Sequence, residues 1–483
     1  MIKQKFITNL ALLITLNLLV KPLYIFGIDR IVQNTVGPEH YGLYFSLFNF
    51  SLLFNIFLDI GITNYNNRNV ARDKNFLLTY FSNIVMLKFL LALGYACICL
   101  ITGIIIGYDM YRIKILSLLI FNQFLASYIL YFRSNISGMH LFRIDSLLSV
   151  ADRMLMILLC GLLLWMPAYR DSFRIEWFIY TQTVSYAVTA FVAFIIVYRK
   201  AGGFRLAIDI NILLKIARES SPFALLTLLM SFGFRADSVL LERLLPDGTL
   251  QAGIYAQAFR ILDALLMFAF LFSVLLLPMF SRMISNRENI EQLTTLAFSL
   301  LFVPSVCIAA AVISYRYFIS DLLYDNCVAE AAPLIGITMV TFIFNAMVYI
   351  FGTLLTAHGS LAKLNIIYIA GLMINITANW IFIPIYKAEA AAWISLITQA
   401  IVCFAQIVLS VYIFSLRIDT NLLIRYLSFI IFMVSISLLM RNIAITWLTG
   451  FCSIVLAGII FAFIIRILNL RSLLTIVRQH DEI

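Results

Sequence analysis

Charged residues are scarce in this chain: Asp, Glu, Lys and Arg make up 12% of its 483 residues, whereas apolar residues make up 63%. About a quarter of a soluble globular chain is charged, so this composition excludes a water-soluble protein. The apolar runs are roughly 20 residues long, the length of a membrane-crossing helix, and they lack the alternating ~10-residue pattern of a membrane barrel. We therefore predict an all-α polytopic membrane protein.

Several chemical signatures are also missing. The seven cysteines and four histidines are scattered, without CxxC or Cys/His spacing, so we expect neither a metal site nor a disulfide framework. No GxxxxGK[ST] loop is present, which excludes an ATPase domain in this chain. The Lys and Arg that produce the net charge of +10 are spread between apolar runs. That spread is typical of membrane topology and not of nucleic-acid binding.

Fourteen apolar runs are long enough to cross a bilayer. We predict two pseudo-symmetric bundles of six transmembrane helices, 1–198 and 221–416, joined by a cytoplasmic amphipathic linker at 199–220. Two additional transmembrane helices and a short cytoplasmic tail occupy 417–483. The predicted spans are 6–36, 41–63, 77–107, 113–137, 146–167, 176–198, 215–242, 252–280, 293–317, 332–356, 362–384, 388–414, 421–440 and 443–468.

The loops predict the orientation of these spans. Basic residues, among which we count Arg153, lie mainly on the side that holds both termini, and the positive-inside rule places this side in the cytoplasm. The loop from Ser320 to Pro333 on the opposite side is acidic. The first apolar run has no small-residue cleavage site, so we expect no cleaved signal peptide. The prediction is a multi-pass protein with cytoplasmic N- and C-termini.

A short pattern occurs twice in the chain. FGIDRI at 26–31 matches FRADSV at 234–239 at an offset of 208 residues, and G-L-Y at 42–44 matches G-I-Y at 253–255 at an offset of 211. Both copies place an acid and a base in an apolar stretch. Internal repeats with charge at matching depth are typical of transporters. The pattern predicts a duplicated bundle with a polar site between the copies.

Charged residues inside the predicted spans are the candidate functional groups, because an unpaired charge in lipid is costly. The bases predict a cationic cavity that binds pyrophosphate, since Arg offers phosphate a bidentate fork. These bases are Arg30, Arg260, Lys88, Arg235 and Lys21. The acids are candidates for ion coupling or for pairing with the bases: Asp29, Asp237, Asp263 and Asp59.

Several of these charges also have a structural explanation. Arg260 and Asp263 are three residues apart on one helix face and can pair with each other. Either Lys21 or Lys88 can snorkel to an interface. Asp59 can mark a helix end before a basic cytoplasmic loop.

Two further features each allow two interpretations. Pro22 and Gly27 predict a bend in the long first span, but a shorter span that ends at Phe26 would leave Asp29 and Arg30 in an external loop. Polar amides in the second half can hydrogen-bond between helices or line a sugar-sized cavity. These amides are Asn345, Asn375, Asn379, Gln399 and Gln406.

The motifs GPEHYGLY at 37–44, LDIG at 58–61, RNVAR at 68–72 and LPMFSR at 277–282 resemble those of a known family. They are similar to lipid-linked oligosaccharide flippases of the Wzx (polysaccharide biosynthesis) type, within the multidrug, oligosaccharidyl-lipid and polysaccharide exporter superfamily. The resemblance implies alternating access of two bundles around a central cationic cavity. In related lipid II flippases, bases on spans one and eight take the pyrophosphate. Arg30 and Arg260 match them by location, with Asp29 as a nearby acid.

The resemblance implies a function as well. We expect a flippase that moves an undecaprenyl-diphosphate-linked oligosaccharide (an O-antigen, capsule or exopolysaccharide repeat unit) across a bacterial inner membrane. No cofactor is expected beyond a coupling Na⁺ or H⁺, and the expected partners are membrane lipid, a polysaccharide polymerase and chain-length proteins. One alternative is a multidrug or organic-cation antiporter of the same superfamily, which would need acidic cavity walls. The other is a membrane polysaccharide polymerase, against which the short outer loops argue.

Overall fold

The chain is helical throughout the residues that the structure describes. The computed structural model describes residues 2–166, 169, 172–201, 210–416, 419–443 and 446–468. These residues form helices and short turns, and no strand occurs among them. The predicted all-α class is confirmed.

The helices of the first half follow each other through short turns. They are α1 (Ile2–Tyr24), α2 (Arg30–Leu53), α3 (Ile62–Arg72), α4 (Lys74–Ile106), α5 (Met110–Gly138), α6 (Phe142–Trp165), α7 (Ile175–Lys200) and α8 (Ile210–Leu244). The second half has α9 (Gly248–Ser285), α10 (Glu291–Ser314), α11 (Arg316–Leu323), α12 (Val328–Ala357), α13 (Leu361–Phe414), α14 (Thr420–Asn442) and α15 (Trp447–Ile464).

The long helices account for the predicted membrane spans. Eleven described helical runs are long and apolar enough to cross a bilayer. Two of these runs each contain a break and comprise two predicted spans, because the backbone turns at Gly37 (φ 79°) and at Lys387 (φ 54°). Helix α8 covers the remaining predicted span. The polytopic architecture is therefore confirmed.

The first span bends where the sequence predicts a bend. A π-helical turn, Ile25–Asp29, follows Pro22 and contains Gly27. Helical geometry then continues to the break at Gly37, which precedes Pro38. Asp29 and Arg30 therefore lie in the helical span, and their placement in an external loop is wrong.

The second span ends in an irregular turn. Helix α2 stops at Leu53, a 3-10 turn covers Asn55–Leu58, and Gly61 (φ 82°) precedes α3. The helix end predicted at Asp59 is confirmed. Helix α3 itself was not predicted, because its polar sequence reads as a loop. It is held against α5 by Asn66, whose Nδ2 donates to Ser134 Oγ at 2.8 Å.

The described chain divides into two compact units, Met1–Gly253 and Ile254–Ile483. Helix α8, the first span of the predicted second bundle, groups with the first unit because it packs along α2. Of the predicted linker at 199–220, residues 202–209 lie outside the described residues, and Ile210 onward belongs to α8. The tail at 469–483 also lies outside them.

Each unit has its own apolar core. In the first unit, aromatic side chains of α4 and α5 pack against small residues of α7, among them Phe81, Tyr131, Phe132 and Ala193. In the second unit, α10 packs against α12 and α15, and α12 packs along α13. A close crossing between α10 and α15 is possible because Gly458 has no side chain: a Cβ there would lie 2.5 Å from Cys307 Sγ.

Candidate functional site

The predicted site residues are divided between the two units. Two of them, Arg260 and Asp263, lie on α9 in the second unit. The first unit holds the other seven: Lys21, Asp29, Arg30, Asp59, Lys88, Arg235 and Asp237. Each unit therefore carries at least one predicted base together with an acid.

Asp29 is a buried carboxylate at the end of the π-helical turn. It is 0% exposed and accepts hydrogen bonds at Oδ2 from the hydroxyl of Tyr41 at 2.8 Å and from Nε2 of Gln33 at 3.4 Å. Tyr41 belongs to the motif after the Gly37 break, so the break folds the second span back onto the first. Arg30, the next residue, is half-buried. A π-helical turn is a common feature of functional sites.

Lys88 and Asp59 form a buried ion pair. Lys88 Nζ lies 2.7 Å from Asp59 Oδ1 and donates to the carbonyl oxygen of Leu58 at 3.0 Å. The Lys88 side chain is 0% exposed and that of Asp59 is 30% exposed. Snorkelling is therefore the wrong explanation for Lys88, because its ammonium is buried beside a carboxylate. Asp59 also accepts from the backbone N–H of Thr63 at 3.2 Å, which ties it to the start of α3.

The remaining predicted residues of the first unit lie on α8 and α1. Arg235 Nη1 donates to Asn49 Oδ1 on α2 at 3.1 Å. Asp237 is 1% exposed, and Lys21 is half-buried in the last turn of α1. Arg235 of α8 therefore contacts α2, a helix of the first predicted bundle.

In the second unit, Arg260 and Asp263 pair as their spacing predicts. Arg260 Nη1 lies 3.7 Å from Asp263 Oδ2. The Arg260 side chain is 10% exposed and that of Asp263 is 33% exposed. The contact is long for a charge-assisted hydrogen bond, which is usually about 2.7–2.9 Å. The predicted pairing of Arg260 with Asp263 is therefore present as a long ionic contact.

Arg153 is a half-buried base that was not among the predicted site residues. It was counted with the inner loops, but it lies within α6. Its guanidinium stacks 4.7 Å from the ring of Tyr24 and 5.8 Å from the ring of Tyr186. Asp152 Oδ2 lies 3.5 Å from Arg153 Nε. Its neighbours come from α1 and α7, so no local sequence signal identifies it.

A second missed group is an ionic cluster of Glu242, Arg112, Arg243 and Tyr108, called here the α4–α8 cluster. Glu242 has a fully buried side chain, with Oε1 3.1 Å from Arg112 Nε and 4.0 Å from Arg243 Nη1. Arg243 also donates to the Ile106 carbonyl and lies 5.1 Å from the Tyr108 ring. Burial and the neighbouring Glu242 carboxylate raise the pKa of Tyr108, so its phenol stays neutral. Glu242 looks like an ordinary solvent-facing acid at a span end in the sequence.

The repeated glycines lie against each other. A Cβ on Gly42 would overlap the carbonyl oxygen of Thr249, and a Cβ on Gly253 would overlap the carbonyl oxygen of Pro38. Both glycines are buried. The start of α9 and the segment after the Gly37 break therefore cross at backbone contact, which only glycine permits at both positions.

The polar amides of the second unit are buried. Asn345 and Asn375 are each 1% exposed, Asn379 and Gln406 are 0% exposed, and Gln399 is 6% exposed. Asn379 Nδ2 donates to Asn375 Oδ1 at 3.1 Å along α13. This bond lies within one helix, so it stabilises the local geometry and does not join two helices.

The fold and the paired charges define an all-helical membrane protein with ionic residues on several spans. The model of the polysaccharide biosynthesis protein family matches residues 6–284. This match covers more than half of the chain, and the chain belongs to this family. A comparison with curated proteins gave no match.

Solved transporter structures share the fold. The lipid II flippase MurJ, in an inward closed conformation, matches with a TM-score of 0.69 at 12% identity, covering 94% of this chain and 98% of that one. An inward-facing multidrug resistance MATE transporter of the MOP superfamily matches with a TM-score of 0.61 at 16% identity, covering 81% and 94%. The eukaryotic MATE transporter AtDTX14 matches with a TM-score of 0.61 at 15% identity, covering 83% and 94%. The resemblance to this superfamily is confirmed.

Proposed function

We propose that this protein translocates an undecaprenyl-diphosphate-linked oligosaccharide from the inner to the outer leaflet of a bacterial inner membrane. The observation that carries the proposal is the set of buried or half-buried arginines on the membrane spans of a polysaccharide biosynthesis family member: Arg30, Arg153, Arg235 and Arg260. Charged side chains on membrane spans normally face a partner or a polar cavity, because an unpaired charge in lipid is costly. A diphosphate linked to lipid is an anionic ligand that can reach them.

The structure favours some of these bases over others as pyrophosphate ligands. Lys88 is occupied by Asp59 and by the Leu58 carbonyl, so we assign it to that pair. Arg260 lies 3.7 Å from Asp263 on the same helix, and a guanidinium can bind two phosphate oxygens side by side. In the proposal, Arg260 and Arg30 bind the diphosphate, with Arg235 and Lys21 contributing positive charge.

The proposed cycle is alternating access. Substrate binding biases an inward-to-outward equilibrium, because a ligand shifts a conformational equilibrium by its differential affinity for the two states. The lipid tail stays in the bilayer, and a Na⁺ or H⁺ gradient acts through Asp29, Asp237 or Asp263. The lipid II flippase among the similar structures supports a lipid-linked substrate. We also propose a polysaccharide polymerase and chain-length proteins as partners, because they would act on the translocated product.

A deletion and complementation experiment tests the proposal. In cells that lack the protein, lipid-linked repeat units should accumulate facing the cytoplasm, and surface polysaccharide should be lost. Wild type and Arg260→Lys should restore it. Arg260→Glu should not, because a carboxylate repels the diphosphate. Arg425→Glu, at an exposed position on α14, is the matched charge-reversal control and should restore it.

Two outcomes contradict the proposal. Unchanged surface polysaccharide in the deletion strain would show that another protein performs this step. Full activity of Arg260→Glu, together with resistance to organic cations that depends on the protein, would identify a cation antiporter instead.

A further inference from the structure

A polar cavity lies beside Asp59 within the first unit. Its volume is about 230 Å³, far above the ~15 Å³ that a single water needs. The 3-10 turn, the turn before α3, α5 and α8 line it. The polar side chains of its wall are Asn55, Asp59, Gln123, Ser127, Thr227 and Ser231. The cavity is therefore large enough for one sugar ring, and both hydrogen-bond donors and hydrogen-bond acceptors line it.

Three of the lining side chains have hydrogen-bonding capacity directed at the cavity. Within the described part of the chain, Asn55, Gln123 and Ser231 make no side-chain hydrogen bond to protein. Gln123 is only 5% exposed and lines the cavity, so its amide is available to a ligand there. A typical hydrogen bond contributes about 0.5–1.5 kcal/mol net. A ligand that donates and accepts hydrogen bonds would gain this contribution from each of the three side chains.

The charge of the wall selects the class of ligand. Asp59 is the charged side chain of the wall. Lys88 is not among the lining residues, and its Nζ lies 2.7 Å from Asp59 Oδ1 and neutralises the carboxylate. A phosphate would meet a carboxylate and no base among the described lining residues, so the cavity disfavours an anion. A single bare cation would find a charge that is already balanced, in a cavity far wider than the tight oxygen shell that such ions need. A neutral, hydroxyl-rich molecule fits both conditions.

The wall is held rigidly enough to act as a binding surface. Ser127 Oγ and Lys88 Nζ both donate to the carbonyl of Leu58, at 3.2 and 3.0 Å. Thr63 N–H fixes the Asp59 carboxylate from the α3 side. The 3-10 turn that carries Asn55 is therefore tied to both α4 and α5. Preorganised polar groups of this kind bind sugars without first paying an ordering cost.

We propose that this cavity is a saccharide subsite that binds one sugar ring of the transported glycan, with Gln123, Asn55, Ser231 and Asp59 contacting its hydroxyl groups. The proposal rests on the proposed function, since it assigns the glycan part of the same substrate. The diphosphate and the glycan are then recognised by different parts of the protein.

Binding to two probes tests the subsite. The full-length protein in lipid nanodiscs is titrated with undecaprenyl diphosphate and with the lipid-linked oligosaccharide extracted from the deletion strain. Wild type should bind the glycosylated lipid about tenfold more tightly or better, since several hydrogen bonds each contribute a few-fold. Gln123→Leu and Ser231→Ala should each reduce that preference about five-fold. Their affinity for undecaprenyl diphosphate should not change, which also shows that they fold.

Ser117→Ala is the matched control, because Ser117 on α5 is exposed and bonds only its own helix at Ile113. It should leave both affinities unchanged. The subsite is refuted, and the flippase function stands, in two cases. In the first, the Gln123→Leu and Ser231→Ala variants bind both lipids as wild type does. In the second, these variants lose affinity for both lipids equally. It is also refuted if Gln123→Leu removes a Na⁺-dependent gain in affinity and keeps the glycan preference, which would identify a cation site. If wild type binds neither lipid, the proposed function fails and the subsite with it.

Discussion

At the scale of the residue, the buried charges are held by specific partners. Asp59 and Lys88 are separated by 29 positions in the chain, and Asp29 meets Tyr41 only because the backbone turns at Gly37. The sequence was sufficient to find the charges, since charge is rare in membrane spans. It did not identify their partners, because pairing depends on how helices distant in sequence pack.

Removing the hydroxyl of Tyr41 should destabilise the fold. Tyr41→Phe deletes a 2.8 Å hydrogen bond to a fully buried carboxylate, and bonds to charged groups contribute about 1.5–3 kcal/mol. We expect a loss of about 2 kcal/mol in the free energy of unfolding, measured by denaturant titration in detergent. Tyr180→Phe, at an exposed tyrosine of α7, should change it little. Equal stability of the two variants would show that Asp29 does not need this bond.

The Lys88–Asp59 pair should behave as a unit. Lys88→Met alone leaves the Asp59 carboxylate without its cation, and breaking a buried pair costs about 3–5 kcal/mol. The lower end applies here because Asp59 is 30% exposed. Lys88→Met with Asp59→Asn should recover about half of the loss or more. A double-mutant cycle on unfolding free energies measures this, and additive losses would show that the two residues are not coupled.

At the scale of the element, hydropathy predicted the long helices and the breaks at Gly37 and Lys387 well, and it missed the short polar helix α3. Apolar runs of membrane length define α4 through α7 within a few residues of their observed ends. Helix α3 was missed because its sequence is polar, and a short polar stretch between two apolar runs resembles a loop. Glu242 was missed because an acid at a span end looks hydrated. Its carboxylate contacts the adjacent Arg243 and also Arg112 on α5, which is distant in the chain.

The crossing of the two repeated glycines should not tolerate a methyl group. Gly253→Ala would push a Cβ into the Pro38 carbonyl, which is backbone and cannot rotate away. Overpacking usually costs about 1–3 kcal/mol, so we expect a loss of about 2 kcal/mol or more in unfolding free energy. Gly94→Ala on α4, where nothing lies within 4 Å of the new Cβ, is the control and should not destabilise. Wild-type stability of Gly253→Ala would mean that the two segments can separate freely.

The α4–α8 cluster should hold the α4–α5 turn against the end of α8. Glu242→Gln keeps the shape but removes the charge that faces Arg112 and Arg243. We expect amide hydrogen exchange in residues 104–112 to become about tenfold faster, as local opening becomes easier by about 1.4 kcal/mol. Glu288→Gln, at an exposed acid after α9, should leave exchange in this segment unchanged. No change with Glu242→Gln would show that packing alone holds the turn.

At the scale of the whole molecule, the chain belongs to the polysaccharide biosynthesis protein family and shares the fold of solved membrane transporters. Composition and span length predicted the membrane class, and the repeated motif pointed to duplication. The predicted division at 199–220 stays a prediction, because the contacts of α8 group it with the first 200 residues. The grouping of α8 depends on contacts between helices that are distant in the chain, and hydropathy does not report such contacts.

The glycine crossing has a consequence for the origin of this chain. At the offset of 211 residues that relates Gly42 to Gly253, Pro38 corresponds to Thr249. Gly42 approaches the carbonyl of Thr249 and Gly253 approaches the carbonyl of Pro38, so each copy gives the other the same contact that it receives. Such a reciprocal contact is isologous, the kind that identical subunits make across a two-fold axis. A duplicated copy that carries this glycine would provide both halves of such a contact, which is the arrangement that the repeated motif predicts.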